Sequence, residues 1–413
     1  MTPRMALVGA NGYGVAHRRV AETLRQEGAL RLVGLCDLAP VRDEPDAPVP
    51  PEARVFTDYR EMLAATRPDL VVVATPPHTH LEIATAAARA GADLLVEKPP
   101  VLSLAEHHTL TEVLAASAGR YGPPVCQVGF QALGSAALTT LVRAISDGTL
   151  GRVRAVSAVG AWQRPDAYYR RAPWAGRRRV DGRQVLDGAL VNPFAHALMQ
   201  CLAIAAAAAG GPVWPVDLEL ERYRARPIEV DDTTVIRVRL DRGPRVVVAV
   251  TLCADEESDP EVMVHTDRGT AVLGYTTDRL RMPGWPEPRA VPGRTGLLAN
   301  LLAHRRDGAP LLAPLARTAP FTAVAEAVAA APVPPTIGAE FLADHGEGPQ
   351  RVVTVPGVGE VLRRAAAELA LPSELAVAWS APPWRAVAPD ASGGPQPDGG
   401  VQQRSARVQQ PDG

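Results

Sequence analysis

The sequence predicts two dissimilar domains: a parallel, doubly wound α/β sheet over residues 1–130 and an α+β domain over 131–387. Three observations lead there. The chain has 413 residues, and about 150 residues per domain gives two, at most three. Its first 130 residues alternate short apolar runs with helical patterns, the order that builds a parallel sheet covered by helices. From about Arg152 strands follow one another with few helices between them, which is the pattern of an antiparallel sheet.

Taken in order, Met5–Val8 is an apolar run ending at Gly9, and Val15–Glu27 reads as a helix. Leu30–Cys36 is a second buried strand. Thr57–Thr66 is a short helix opened by Thr57 or Asp58 as cap. Leu70–Ala74 is Val-rich throughout, as a strand buried on both faces should be. His78–Ala90 is an Ala-rich helix closed by Gly91, and Asp93–Val96 is the next strand. Ser103 and Glu106 form a capping box for a helix through Ala118, and Val125–Phe130 is the last strand of the set. In the second half Val153–Val159, Asp217–Tyr223, Thr233–Leu240 and Arg245–Leu252 read as strands. Pro193–Ala209, Leu297–Arg306 and Phe321–Ala330 read as helices. Residues 388–413 hold Pro, Gly, Gln and Asp with almost nothing apolar, and read as a disordered tail.

Composition narrows the function classes. Lys+Arg 43 against Asp+Glu 45 leaves a net charge of −2, which excludes a general nucleic-acid binder with a basic face. Apolar residues at 46% allow a sizeable core. The basic residues are lopsided: Lys98 is the only lysine, and every other one is arginine. A bias that strong replaces lysine wherever arginine serves, so the survivor marks a place that needs a compact ammonium able to shift its pKa. Cys36, Cys126, Cys201 and Cys253 have no metal-ligand spacing and read as buried thiols; no metal site is expected. The longest apolar stretch, Ala197–Gly210, is too short to span a bilayer, and no signal segment precedes the first strand, so a soluble cytoplasmic protein is expected.

Gly9-Ala-Asn11-Gly12-Tyr13-Gly14 lies between the first strand and the first helix. There a glycine-rich turn lets the backbone approach a pyrophosphate at a helix N-terminus. Asn11 holds the middle glycine position, and asparagine tolerates left-handed dihedrals. Asp37 ends the second strand, where a carboxylate binds the adenosine ribose 2′-hydroxyl and repels a 2′-phosphate. This favours NAD; Arg42 nearby keeps NADP open.

Ala74-Thr-Pro-Pro-His-Thr-His80, then Glu97-Lys98-Pro-Pro, together with the modified glycine turn and His17, resemble the Gfo/Idh/MocA oxidoreductases, the glucose–fructose oxidoreductase and inositol dehydrogenase family. The resemblance is strong over 4–130, moderate to about 280 and weak beyond. It implies an N-terminal Rossmann domain and a C-terminal domain built on a large open antiparallel sheet, with NAD(H) or NADP(H) as cofactor. It places Tyr13, Thr75, Pro76, His80, Glu97 and Lys98 beside the cofactor, with Lys98 at the junction of nicotinamide and substrate. His78 and His80 read as structural more than catalytic.

The family's second site segment corresponds to Asp187-Gly-Ala-Leu-Val-Asn192-Pro-Phe-Ala-His196. The resemblance makes His196 the general acid/base, partnered by a residue four positions earlier on one helical face. That partner is an aspartate in the family and Asn192 here. Asn192 can hold the imidazole but cannot stabilise an imidazolium as a carboxylate would; Asp187 is a poorly spaced substitute. Between the two segments, Arg164, Tyr168, Trp174 and Arg177 match a substrate-lining stretch, where aromatic faces stack on sugars and guanidinium groups bind hydroxyls or carboxylates. The run Arg177–Arg179 hints at an anionic substrate. The expected function is NAD(P)-dependent hydride transfer to or from a hydroxyl or carbonyl carbon of a sugar, inositol or related polyol. Two alternatives stay open: a non-catalytic dinucleotide-dependent sensor, and a glycoside-cleaving enzyme with tightly bound NAD. The family's open sheet further implies a homo-oligomer, a dimer or tetramer.

Overall fold

The computed structural model describes residues 2–389. Its first unit contains β1 (Arg4–Val8), α1 (Gly14–Gln26), β2 (Arg31–Cys36), β3 (Arg54–Phe56), α2 (Tyr59–Thr66), β4 (Leu70–Val73), α3 (His80–Arg89), β5 (Asp93–Val96), α4 (Leu104–Ala116) and β6 (Cys126–Val128). The strands form a parallel sheet in the order β3-β2-β1-β4-β5-β6. This is the doubly wound order whose reversal point, between β1 and β4, opens a crevice at the strands' carboxyl ends. Every residue of β4 and β5 is buried, as the apolar runs Leu70–Val73 and Leu94–Val96 require, while the buried Asp93 that opens β5 pairs with Arg305.

Local capping follows the sequence closely. Asp58, not Thr57, caps α2, accepting from Arg60 N at 2.7 Å. Ser103 Oγ accepts from Glu106 N at 3.2 Å, but the Glu106 carboxylate returns to Leu102 N at 2.8 Å, one residue before the expected box partner. The chain before α3 makes a 3₁₀ turn over Pro77–Thr79, so the helix starts two residues later than expected.

The second unit comprises α5 (Ala136–Ser146), β7 (Val153–Gln163), α6 (Asp166–Tyr169), the hairpin β8 (Arg179–Val180) and β9 (Arg183–Gln184), α7 (Ala195–Ala208), β10 (Pro215–Tyr223), β11 (Thr233–Leu240), β12 (Arg245–Thr251), β13 (Cys253–Thr266), β14 (Gly269–Gly274), β15 (Arg279–Arg281) and β16 (Arg289–Ala290). It continues with α8 (Leu297–Asp307), α9 (Ala319–Ala330), the pair β17 (Ala343–His345) and β18 (Val352–Thr354), α10 (Val358–Glu368) and β19 (Trp384–Val387). Nine strands form one open sheet, β16-β15-β14-β13-β7-β12-β11-β10-β19.

The sheet departs from the expected antiparallel arrangement at one pair: β7 and β12 run parallel. The reason is topological. β12 and β13 are joined by the single residue Leu252 and run along opposite edges of β7, so one of them must be parallel to it. Arg164 N donates to Leu252 O at 3.1 Å as the chain passes the end of β7.

Side chains alternate across this sheet. Val156, Ala158, Val248 and Val250 face α7 and join the core continuous with the first unit. Val159, Val235, Val247 and Ala249 face the other way, onto Val358, Leu362 and Ala366 of α10. The second face is therefore covered where β7, β12 and β13 meet α10. At the start of the predicted tail, Ala388 is buried and its N–H donates to Val216 O; residues 390–413 lie outside the described residues.

Candidate active site

The crevice at the carboxyl ends of β1, β4 and β5 opens into a cavity of about 800 Å³ that continues to the start of α7. The glycine turn shapes one end. Gly9 has φ +85°, and a Cβ there would lie 2.6 Å from Ala74 O; a Cβ on Gly14 would lie 1.7 Å from Gly9 O. Only glycine allows β1, the loop after β4 and α1 to come this close. Positive φ falls on Gly9 and Gly12, not on Asn11. The expectation that Asn11 supplies a left-handed residue is thus corrected. Its amide instead ties the turn to the loop after β2, donating to Pro40 O (3.3 Å) and accepting from Arg42 N (3.4 Å). Asp37 accepts from Asn11 N at 2.9 Å and from Ala39 N at 3.0 Å, so its carboxylate is fixed at the cavity wall beside Leu38. The Arg42 side chain is not among the residues lining the cavity. The cradle, the helix N-terminus and the fixed carboxylate fit a dinucleotide.

Thr75, Pro76 and Tyr13 line the cavity with Gly9, Asn11, Gly12 and Asp37. His80 does not. It is fully buried, with its two ring nitrogens 2.9 Å from Pro99 O and 2.7 Å from Thr75 O. It pins the loop after β4 to the loop after β5, which corrects the expectation of a direct cofactor contact. Burial pushes its pKa down.

Glu97 and Lys98 follow directly on β5. Glu97 is buried against His17 (2.9 Å), in space that Gly129 leaves open, since a Cβ there would lie 2.7 Å from the carboxylate. Lys98 Nζ reaches Asn192, 2.6 Å from Oδ1 and 3.1 Å from the backbone oxygen. Burial lowers the Lys98 pKa, while Glu97 and Asp187 oppose that shift.

His196 enters the cavity from the first turn of α7. Phe194, stacked on Trp162 at 4.3 Å, anchors that turn to β7. Gly160 makes room for it, because a Cβ would come within 2.3 Å of the Phe194 ring. The imidazole stands edge-on to Phe130 (5.8 Å), and its Nδ1 is buried with no partner among the described residues. Burial, then the nearby Lys98 charge, pushes the His196 pKa down to about 3, so the ring is neutral at neutral pH.

Asn192 does not hold the imidazole as expected. The helix begins at Ala195, beyond Pro193, so the four-residue spacing is not helical. The Asn192 amide bridges Lys98 to Asp187 instead, its Nδ2 donating to Asp187 Oδ1. Asp187 also receives Arg171 Nη2 on both oxygens (2.9 Å each) and Gly176 N (2.9 Å).

Of the four expected substrate-side residues, Tyr168 and Trp174 line the cavity and Arg164 and Arg177 do not. Arg164 lies over Trp162 and Tyr168. Arg177 pairs with Glu229 at 3.4 Å on the surface. Arg178 is spent on Ala329 O and Ala331 O, and Arg179 on Gly182 O, so the arginine run serves structure. The guanidinium group lining the cavity is that of Arg171, over the Tyr168 ring (3.7 Å) and the Trp174 ring (4.6 Å). Its position, three residues from each ring, was the available signal. The four cysteines are free and buried, and no cluster of metal-ligating side chains occurs among the described residues.

Two models of one family match the chain: "Oxidoreductase family, NAD-binding Rossmann fold" over residues 3–123, and "GFO/IDH/MocA C-terminal domain" over 138–272. The chain belongs to the Gfo/Idh/MocA family. Among curated members, it is 34% identical to inositol 2-dehydrogenase of Rhodococcus erythropolis over 149 residues, 36% of this chain and 41% of that protein. It is 33% identical to D-glucoside 3-dehydrogenase of Escherichia coli over 100 residues, 24% of this chain and 28% of that protein. The matched region thus spans less than half the length of these relatives. Among solved family structures, the WlbA dehydrogenase of Bordetella pertussis, in complex with NADH and UDP-GlcNAcA, superposes with a TM-score of 0.64 at 24% identity. That match covers 79% of this chain and 95% of that one. Levoglucosan dehydrogenase in complex with NADH gives 0.62 at 18% identity, covering 79% and 96%. At these identities the superpositions show the fold. Among the described residues no helix is long and apolar enough to cross a membrane.

Proposed function

We propose that this chain is an NAD-dependent dehydrogenase or reductase acting on a hydroxyl or carbonyl carbon of a sugar, inositol or related polyol. The observation that carries the reading is that Lys98, just after β5, and His196 from α7 line one cavity that runs on to the glycine cradle and Asp37. Bound nicotinamide would accept or return the hydride. The chain's own residues do the rest. Gly9, Gly12 and Gly14 with α1 hold the pyrophosphate, and Asp37 the ribose. Lys98 donates a hydrogen bond to the reacting oxygen and polarises it. The neutral His196 imidazole takes the hydroxyl proton as the C–H electron pair leaves, and a carbonyl forms. Tyr168 and Trp174 offer ring faces to the sugar's C–H surface. Asp37 together with the exposed Leu38 favours NAD over NADP, because neither accommodates a 2′-phosphate.

The test is reduction of NAD+ and NADP+ followed in the near ultraviolet across sugars, inositols and sugar acids, with Lys98→Met alongside. Turnover in wild type, its loss in Lys98→Met and dinucleotide binding kept in both are expected. Turnover retained by Lys98→Met overturns the mechanism. Dinucleotide binding without turnover of any polyol overturns the activity in favour of a sensor, and cofactor that co-purifies and is never net-reduced favours glycoside cleavage with tethered NAD. A cytoplasmic location and a homo-oligomer complete the proposal, with the contact restricted to surface that α10 leaves free.

A further inference from the structure

We propose that Asp187 is a positioning residue of this site, turning the Asn192 amide so that its oxygen faces Lys98. The proposal rests on the dehydrogenase reading above. The two orientations of an asparagine amide are nearly identical in shape and opposite in hydrogen bonding. Flipped, Asn192 would aim N–H donors at Lys98 Nζ, donor against donor. What selects the working orientation is the carboxylate behind it: Asp187 Oδ1 accepts from Asn192 Nδ2, which leaves Oδ1 of Asn192 2.6 Å from Lys98 Nζ.

Asp187 suits this task. It is 3% exposed, and Arg171, Gly176 N and Asn192 all donate to it, so its two oxygens are fixed in direction. The work of one carboxylate beside the lysine is therefore divided. Asn192 provides the contact, and Asp187 provides the charge and the orientation from one residue further away. The charged and titratable groups facing Lys98 are Glu97, Asp187, Arg171 and His196, so the removal of one negative charge falls on a short list. A corollary concerns Asn192→Asp. It would set a second carboxylate against Asp187, and two such groups at hydrogen-bond distance share a proton.

Because Lys98 is the only lysine, incorporation of [6-13C]lysine gives one side-chain signal whose shift reports its protonation directly, with or without substrate. The titration is run on wild type, Asp187→Asn, Asn192→Asp and the exchanged pair Asp187→Asn/Asn192→Asp, with dinucleotide binding as the check on folding. Asp187→Asn should lower the Lys98 midpoint by about half a unit or more and depress kcat more than it raises KM. The exchanged pair, with its carboxylate moved into contact with Lys98, should bring the midpoint back to the wild-type value or above it and recover kcat about tenfold over Asp187→Asn. A titration of Asp187→Asn that overlays wild type overturns the proposal, as does an exchanged pair whose midpoint stays with Asp187→Asn. If wild type oxidises no polyol, the activity reading has failed, and the lysine titration still decides the role of Asp187.

Discussion

Asp37 and His196 show how single side chains set the behaviour of the two ends of the cavity. The Asp37 carboxylate is held by two backbone N–H groups, so it stays in place whichever dinucleotide arrives. Asp37→Ala removes the charge that opposes a 2′-phosphate. The ratio of NADP to NAD dissociation constants, measured by calorimetry, should fall by about tenfold or more, roughly 1.4 kcal/mol of discrimination; an unchanged ratio would assign selectivity elsewhere. His196 makes a prediction about stability. Unfolded, it takes a proton near its ordinary pKa of 6.5; folded, only near about 3. Between those values the unfolded chain binds the extra proton, so stability is lost as pH falls through this window. His196→Gln should flatten that loss, seen as a shallower pH dependence of the urea midpoint. Parallel curves for variant and wild type would mean that the ring is not kept neutral.

At the scale of elements, legibility followed sequence periodicity and capping. The strands Leu70–Val73 and Asp93–Val96 and the helix starting after Ser103 are written in short, mostly apolar runs and a cap, and they occur where those signals put them. β13 was not readable: its first half, Cys253-Ala-Asp-Glu-Glu-Ser-Asp-Pro, is acidic and does not alternate, and register shifts interrupt its pairing with β7. α10 lies beyond the reach of the family resemblance. In the site, the residue types were legible and their partnerships were not. Lys98, His196 and Asn192 stood out, but whether Asn192 turns to the imidazole or to the lysine depends on where α7 begins. Two substitutions separate packing that serves the site from packing that serves stability. Gly160→Ala drives a Cβ into the Phe194 ring and should cost about 1–3 kcal/mol, lowering both Tm and kcat because the start of α7 carries His196. Leu362→Ala, on the opposite face of the sheet, should cost about 2–5 kcal/mol and leave kcat/KM of the remaining folded enzyme unchanged. A kinetic effect of Leu362→Ala would show that the two faces are coupled.

For the whole molecule, the strongest constraint is that the nine-stranded sheet has a core on each side. The resemblance leads one to expect that this open sheet mediates assembly into a dimer or tetramer. Val358, Leu362 and Ala366 of α10 bury part of the face carrying Val159, Val235, Val247 and Ala249 within the same chain. Light scattering at micromolar concentration should still give a dimer or tetramer; a monomer would remove self-association from the proposal. The position of β7 carries a further consequence, for the order in which the molecule is made. Val156 pairs with Val246 on one side and Val264 on the other, so the central strand of the sheet leaves the ribosome long before either neighbour exists. At about 5–20 residues per second, both of its edges stay unpaired for several seconds, whereas the first unit can close as soon as β6 emerges. Loop-closure entropy makes such distant pairing slow. The nascent second unit is therefore the part of the chain that would need protection from aggregation, and a ribosome stalled between β7 and β12 should display it to chaperones or proteases.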